Sequence, residues 1–379
     1  MGEKNCKAVI GAGFGDEGKG MFTDYLCRNA EHPLVIRFSG GQQAGHTVVH
    51  KGIRHVFSNF GSGTLRGAPS YFAKFCTIDP VGIINELDAL LEKGVEPLLF
   101  IDAECPVTTP YDIRYNQQNH PHGSCGVGVG ATFNREEHFY SLTFAHLFYP
   151  WVLETRLQLI RDFYREYITD ADDDVEVDDF LRCCSVLTRS PWVRISRGLP
   201  PGESGEFSDY IYEGSQGLLL DQHYGFFPYV TRAHTGTKNI LALCMAEKLD
   251  IYLVTRAYQT RHGDGPMSNE GLPHTIQQNP LETNVRNHFQ GKFRRSLLDL
   301  SLLEYAIQRD KIIFSASDKK LVITCLDHIR DDYQFTLQGQ IFHFKNESEF
   351  IERIARHLRI KTVYTSSSED CTEIIRKDF

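Results

Sequence analysis

The stretch VIGAGFGDEGKG, residues 9–20, decides the fold. AVIGAG (8–13) has the composition of a buried strand, and glycines follow at 11, 13, 15, 18 and 20. Glycines between a strand and a helix let backbone N–H groups close on an anion at the helix start. Lys19 adds a point charge suited to phosphate. The turn is nevertheless not the standard phosphate loop, because Lys19 is followed by Gly20 rather than Ser or Thr. It also carries Asp16 and Glu17, which would repel a phosphate. Two purposes for Asp16 stand side by side. It could share a divalent metal with phosphate oxygens, or it could face a neutral base and take a proton from it. The plain alternative is a tight strand-to-helix turn with surface acids.

Working outward, GMFTDYLCRNA (20–30) has helical spacing and PLVIRFSGG (33–41) reads as a second strand ending in glycines. Strand, glycine turn, helix, strand predicts an α/β protein with a mostly parallel central sheet flanked by helices. PVGIINELDALLEKG (80–94) reads as an amphipathic helix, with Pro at its start and Gly at its end. PLLFID (97–102), DIYLVTRAY (250–258), KIIFSAS (311–317) and KLVITCLD (320–327) read as strands, and SLLDLSLLEYAIQRD (296–310) as a helix. HPHGSCGVGVGATFNRE (120–136) reads as a glycine-rich loop. The acidic run ITDADDDVEVDD (168–179) reads as a solvated surface segment or helix cap. One sheet-centred domain over 1–379, with a helical insert near 137–190, is the expected organisation.

The 379 residues suffice for a large buried core, and a formal net charge of −9 argues against a nucleic-acid or anionic-membrane coat. No apolar run approaches the roughly 18 residues needed to span a bilayer. The N-terminal residues lack the apolar core of a secretory signal. The ten cysteines form no CxxC pair, which fits reduced thiols in a cytoplasmic protein.

Further motifs stand at strand ends. GGQQAGHT (40–47) places His46 to donate toward developing negative charge; a loop histidine is otherwise ordinary polar surface. YIYEGSQGLLLDQHYGFFPYVT (210–231) and RAYQTRHGDGP (256–266) follow. GKFRR (291–295) is a basic cluster suited to carboxylate or phosphate. In TCLD (324–327), Asp327 could accept from the N1–H and 2-amino group of a guanine.

Taken together, these motifs resemble the adenylosuccinate synthetase family. GDEGKG (15–20) matches its first turn, and GGQQAGHT (40–47) matches its GG-x-x-AGHT loop. Residues 213–221 and 228–231 match its EG-x-QG-x-LLD and PYVT segments, and QTRHGDGP (259–266) loosely matches STR-x-G-x-GP. The similarity runs from about residue 8 to residue 375. It implies that family's P-loop-NTPase-like fold and a ligase. Such an enzyme joins L-aspartate to C6 of a 6-oxopurine nucleotide, IMP, through a 6-phosphoryl intermediate with GTP hydrolysis. It further implies Mg²⁺ as cofactor and a cytoplasmic homodimer.

By that resemblance Asp16 is the general base at N1 and a Mg²⁺ ligand together with the Gly45 carbonyl. His46 stabilises the moving γ-phosphoryl, and Lys19 lies by the purine nucleotide. Gly15, Glu17, Gly18 and Gly20 belong to the nucleotide-contacting turn, and Thr47 to the triphosphate loop. Gln43 stands where the family has an Asn on the nucleotide. Gln216 and Thr231 match phosphate contacts, and Asp327 matches the guanine reader. Lys292, Arg294 and Arg295 fall in the aspartate-binding loop. Arg135 is the candidate for an arginine reaching a partner subunit's nucleotide, a surface arginine being the alternative.

Several residues depart from the pattern. Cys125 replaces a phosphate-contacting Thr and Val127 an Arg. Lys292 replaces an Arg, which loses bidentate geometry. Cys325 replaces a Lys beside the guanine, and SSSEDCTE (366–373) replaces STGPDRTE. Two alternatives therefore stand beside the IMP reading. One is a relative acting on dGMP with ATP or GTP to give a 2-aminoadenine precursor; retention of Asp16 argues against it, since a 2-amino group would crowd that acid. The other is an inactive nucleotide-binding regulator, against which the joint presence of Asp16, Lys19, His46 and Gln216 argues.

Overall fold

The computed structural model describes residues 4–119, 124–168, 175–198, 206–244, 248–283 and 289–379. Of the loop expected at 120–136, residues 120–123 lie outside the described residues and the part from Val129 is instead the helix Val129–Glu137; of the acidic run at 168–179, residues 169–174 lie outside them. Among the described residues there are sixteen strands: β1 (Asn5–Gly11), β2 (Pro33–Arg37), β3 (His46–His50), β4 (Ile53–Phe57), β5 (Ser70–Phe72), β6 (Leu99–Asp102), β7 (Val193–Ser196), β8 (Asp209–Gly217), β9 (Leu249–Arg256), β10 (Tyr258–His262), β11 (Phe293–Asp299), β12 (Lys320–Thr324), β13 (Tyr333–Leu337), β14 (Gln340–Phe344), β15 (Thr362–Thr365) and β16 (Ile375–Asp378). Ten of them form one sheet in the order β16-β15-β12-β9-β1-β8-β2-β5-β6-β7. Every neighbouring pair in it is parallel except β15 with β16. A four-stranded sheet, β10-β11-β13-β14, and the hairpin β3-β4 complete the β-structure described.

β1 is central because both its faces are apolar. Ala8 and Ile10 enter one core cluster, and Val9 enters the cluster on the opposite face. A strand covered on both sides reads as a near-continuous apolar run, which is how AVIGAG reads. The helix Lys19–Arg28 follows directly, and its residues Phe22, Leu26 and Cys27 pack beside Val9. The helix Pro80–Glu92 begins where its sequence says it should. Asp79 caps it by accepting from Val81 N–H, and Pro80 occupies the first turn.

Two expectations for the later chain need correction. KIIFSAS is not a strand: Lys311–Ser315 is a short helix, capped by Asp310, whose carboxylate accepts from Ile312 and Ile313 N–H. The helix expected over 296–310 begins only at Leu300, because β11 runs to Asp299, which caps the helix Leu300–Arg309.

Arg135 is also not where it was expected. It lies on the helix Val129–Glu137 with no exposed surface, so it is neither a surface residue nor free to reach a partner. Its Nε donates to Asp112 Oδ1 at 2.9 Å and its Nη2 to the Val107 carbonyl at 2.8 Å. The Asp112 side chain is equally buried. Removing one member of such a pair strands the other charge. Arg135→Ala is therefore expected to lower unfolding free energy by about 3–5 kcal/mol, read as a lower urea midpoint; an unchanged midpoint would contradict the pairing.

Candidate active site

The parallel strands deliver their carboxyl ends to one side, where α/β sheets bind ligands. There the turns after β1, β2, β8, β9 and β12 surround a cleft of about 1100 Å³. Single small-molecule pockets run roughly 300–1,000 Å³, so this one can seat several substrates together.

The turn after β1 resolves the question of the two acids. Glu17 is buried and folds back into its own loop, where Oε1 accepts from Gly13 N–H at 2.6 Å and Gly15 N–H at 3.2 Å. Its Oε2 meets Lys19 Nζ at 3.1 Å. The cradle is thus organised from within by a carboxylate of the chain itself. Gly217 at the end of β8 packs directly against this turn, and a Cβ there would lie 2.2 Å from the Gly13 carbonyl oxygen. Thr324 and Thr260 donate to the carbonyls of Glu17 and Gly15 at 2.8 and 3.1 Å, and Arg256 Nε donates to the Asp16 carbonyl. Three other strands therefore hold the loop in place.

Asp16 takes a different course. Its backbone is left-handed, with φ at 59°, a conformation uncommon outside glycine and better tolerated by Asp and Asn than by most. Its carboxyl lines the cleft, and burial raises its pKa against the opposing charges of Arg256, Lys19 and His262. A buried carboxyl of raised pKa is poised to accept a proton.

His46 begins β3 and is buried. Its Nδ1 lies 2.7 Å from Glu213 Oε1, while its Nε2 is sealed from solvent without a hydrogen-bond partner. Glu213 is wholly buried in β8 and also accepts from Ser62 N–H at 3.1 Å and from the Ser62 hydroxyl. Burial would push its carboxyl up, but His46, Arg37 and Ser62 outweigh burial and bring it down to about 2. An ionised Glu213 fixes the proton on His46 Nδ1 and orients the ring. Burial lowers the pKa of His46, against the pull of Glu213.

Glu213 gives a stability prediction with a definite sign. Its carboxyl is lowered from an ordinary 4.5 to about 2, so its stabilisation is complete above the unfolded value and disappears as pH falls through the folded one. The stability advantage of wild type over Glu213→Gln is therefore expected to shrink between about pH 7 and about pH 3. Urea unfolding at both pH values measures it, and an advantage that does not change with pH would refute the assignment.

Other expected residues also meet here. Gly18, Gly20, Gly45, Thr47, Cys125, Thr231 and Asp327 line the cleft. Gln43 lines it with both side-chain polar atoms buried and unpartnered, and Gln216 with its Oε1 in the same condition. Buried polar atoms without partners are rare in proteins, so a cluster of them around one cleft marks the place of a ligand. The Cys125 thiol is pushed up by burial, and Asp327 keeps a largely open carboxylate, with 44% of its side chain exposed.

The basic cluster stands beside the cleft rather than in its lining. Arg294 spends its guanidinium on the carbonyls of Gly263 and Gly265 and on Glu270, and Arg295 donates to the Gln277 carbonyl. Lys292 accepts from Gly263 N–H through its carbonyl. The cationic side chains in the lining are instead Lys19, Arg54, Arg232, Arg256 and Arg261. Arg261 stacks over Phe14 at 4.4 Å, and burial with nearby Arg294 lowers it to about 10.

Glu213, Arg256, Arg261 and His262 carried no role in the sequence reading. For Glu213 a signal existed, a carboxylate in the middle of the buried strand DYIYEGSQG. Asp and Glu are almost never fully buried unless paired. The others have no local pattern, because their partners come from distant strands.

Comparison with known proteins places this geometry. The family model for adenylosuccinate synthetase matches residues 8–375. The adenylosuccinate synthetase of Francisella philomiragia is 29% identical, the match covering 88% of this chain and 81% of that protein. Among solved structures, the fully ligated adenylosuccinate synthetase from Plasmodium falciparum superposes with a TM-score of 0.78 at 19% identity, over 99% of this chain and 100% of that one. The cyanophage S-2L succinoaminodeoxyadenylate synthetase, bound to dGMP and to dATP as energy donor, superposes with a TM-score of 0.67 at 17% identity, over 99% and 95%.

Proposed function

The chain belongs to the adenylosuccinate synthetase family, whose members are ligases of purine biosynthesis, and from that premise we propose that it joins L-aspartate to C6 of IMP with hydrolysis of GTP. The observation that carries this is the meeting of half-buried Asp16 and the buried, Glu213-oriented His46 on one cleft, with His46 Nε2 unpartnered.

The chemistry follows from an amide-like oxygen being a poor leaving group. Asp16 takes the N1 proton, which raises electron density on O6. O6 then attacks the γ-phosphorus and GDP departs. Lys19 counters the negative charge that grows on the moving phosphoryl group, and His46 joins it as the doubly protonated imidazolium, which ionised Glu213 supports and whose Nε2–H can donate. The aspartate amine next adds at C6 and loses a proton, and phosphate leaves carrying O6. Lys19 is held by Glu17, so its charge is placed before the nucleotide arrives.

The donor set suits Mg²⁺, which typically takes one or two carboxylates and completes its shell with water and substrate phosphates. Asp16 and Gly45 both line the cleft, and burial raises the pKa of Asp16 despite the charges of Arg256, Lys19 and His262. When bound there, the ion supplies positive charge to the phosphate oxygens. Asp327 is the group that would read the guanine of GTP, and Gln43, Gln216, Thr47 and Thr231 would contact the nucleotides. Lys292, Arg294 and Arg295 would serve aspartate, the two arginines only after leaving their present partners.

We read the whole chain, 1–379, as one such domain, supported by a sheet that takes strands from Asn5 to Asp378. Within it the helices Pro150–Tyr164 and Val175–Arg189 support the insert near 137–190. A cytoplasmic setting is supported by ten unbridged cysteines. Among the described residues no helix is long and apolar enough to cross a membrane. A homodimer is supported by exposed Phe139, Tyr149 and Trp151. The alternative acceptor, dGMP with ATP or GTP, is supported by Cys125 and Cys325 in the lining, where the family pattern has Thr and Lys.

The test is aspartate-dependent phosphate release with Mg²⁺, using IMP, dIMP, GMP or dGMP against GTP or ATP. Turnover with IMP and GTP is expected. Turnover confined to dGMP would overturn IMP as the substrate, and release with no pair would overturn the ligase reading.

A further inference from the structure

Tyr258 opens β10 two residues after Arg256 closes β9, and it is buried behind the cleft rather than in its lining. The motif RAYQTRHGDGP contains it without giving it a task. Arg256 and His328, both buried, do line the cleft, and the Tyr258 hydroxyl stands between them. Arg256 Nη1 donates to that hydroxyl at 2.8 Å, and His328 Nδ1 lies 2.7 Å on its other side. A guanidinium only donates. The hydroxyl therefore accepts from Arg256, and its own proton goes to His328 Nδ1. Two more bonds fix the same guanidinium. Nη1 donates to Glu282 Oε2 at 2.9 Å, and Nε donates to the main-chain carbonyl of Asp16. The donors of a guanidinium form one rigid planar fork, so pinning Nη1 also aims Nε.

We propose that Tyr258 is a positioning residue for ligation: its hydroxyl locks the Arg256 guanidinium onto the Asp16 main chain and so sets where the Asp16 carboxyl stands. This rests on the ligase reading, in which Asp16 takes the N1 proton. Asp16 is held in left-handed backbone, a conformation that persists in a non-glycine residue when its surroundings over-determine it. A bond to its own carbonyl from another strand is such a constraint. Misplacing a reacting group by about 1 Å can cost about 10²-fold in rate, so a loosened Arg256 is felt at the proton transfer. Tyr258 itself touches no substrate, and its effect therefore falls on kcat rather than on binding.

The experiment is a double-mutant cycle on the full chain, with Tyr258→Phe, Asp16→Asn and the two combined. Tyr258→Phe removes only the hydroxyl. It is expected to lower the ligation kcat by about 10-fold, the worth of one hydrogen bond to a charged group, with the KM values for IMP and GTP little changed. In the Asp16→Asn background the same change is expected to cost nothing further, because the group it positions is already gone. A second measurement reads the loop without catalysis. Amide hydrogen exchange at Asp16–Gly18 is expected to quicken by about 10-fold in Tyr258→Phe. Should Tyr258→Phe fail to fold, Arg256→Lys, which loses the fork, takes its place in both measurements. An unchanged kcat, a 10-fold loss that simply multiplies with that of Asp16→Asn, or unchanged exchange would each overturn the proposal. Wild-type protein that releases no phosphate would count against the ligase reading alone, since hydrogen exchange still judges Tyr258.

Discussion

Asp16→Asn is expected to lower the ligation kcat by roughly 10²–10⁴-fold, the usual worth of a positioned general base, while nucleotide dissociation constants move far less. The substitution removes the proton acceptor with little change of shape. Asn keeps the shape of Asp and is among the residues that best tolerate the left-handed backbone at this position. The Arg256 bond to residue 16 goes to the main-chain carbonyl, so it survives the change. The anion cradle is organised by Glu17 rather than by Asp16, and it too is left intact. What is lost is the capacity to hold a proton together with the negative charge offered to Mg²⁺, so the comparison is made at saturating Mg²⁺. Steady-state kinetics beside calorimetry would separate the two effects, and a variant retaining about a tenth of wild-type kcat or more would exclude Asp16 as the base.

The second large effect belongs to His46. His46→Asn retains an amide that can donate to Glu213, so the buried carboxylate keeps a partner, but nothing then reaches from the ring's far side into the cleft. The group lost acts on charge that develops during phosphoryl transfer. Such a donor is worth roughly 10²–10³ in kcat, with KM much less affected. A rise in KM with kcat unchanged would show that His46 merely binds substrate.

The centre of the fold could be read because its signals are local. One glycine-rich turn between an apolar run and a helix fixed β1 and its neighbours, and Pro80 with Asp79 marked the start of the helix Pro80–Glu92. The misreadings lie where local signals conflict. KIIFSAS is a short apolar run, and such runs cannot be assigned to strand or helix by periodicity. Its conformation is set by Asp310 capping Ile312 and Ile313, a choice made by one side chain outside the run. Asp299 likewise divides a strand from a helix inside a continuous apolar pattern.

The site divides in the same way. Asp16, Lys19 and His46 sit in motifs whose spacing carries their chemistry. Glu213 acts through His46 on another strand, which a linear pattern does not display. The basic cluster 291–295 was readable as charge, but not as charge already committed to the carbonyls of Gly263 and Gly265. Arg135 shows the reverse case, a charged residue that reads as surface and is buried against Asp112.

Phosphorylation of O6 before aspartate attack makes a claim about one atom, and IMP labelled with ¹⁸O at C6 tests it directly. With aspartate, GTP and Mg²⁺ present, the label is expected in the inorganic phosphate released, one labelled oxygen for each molecule of ligated product. Ligated product accompanied by unlabelled phosphate would mean that the γ-phosphoryl went to water, and that Asp16 and His46 do not serve to activate O6.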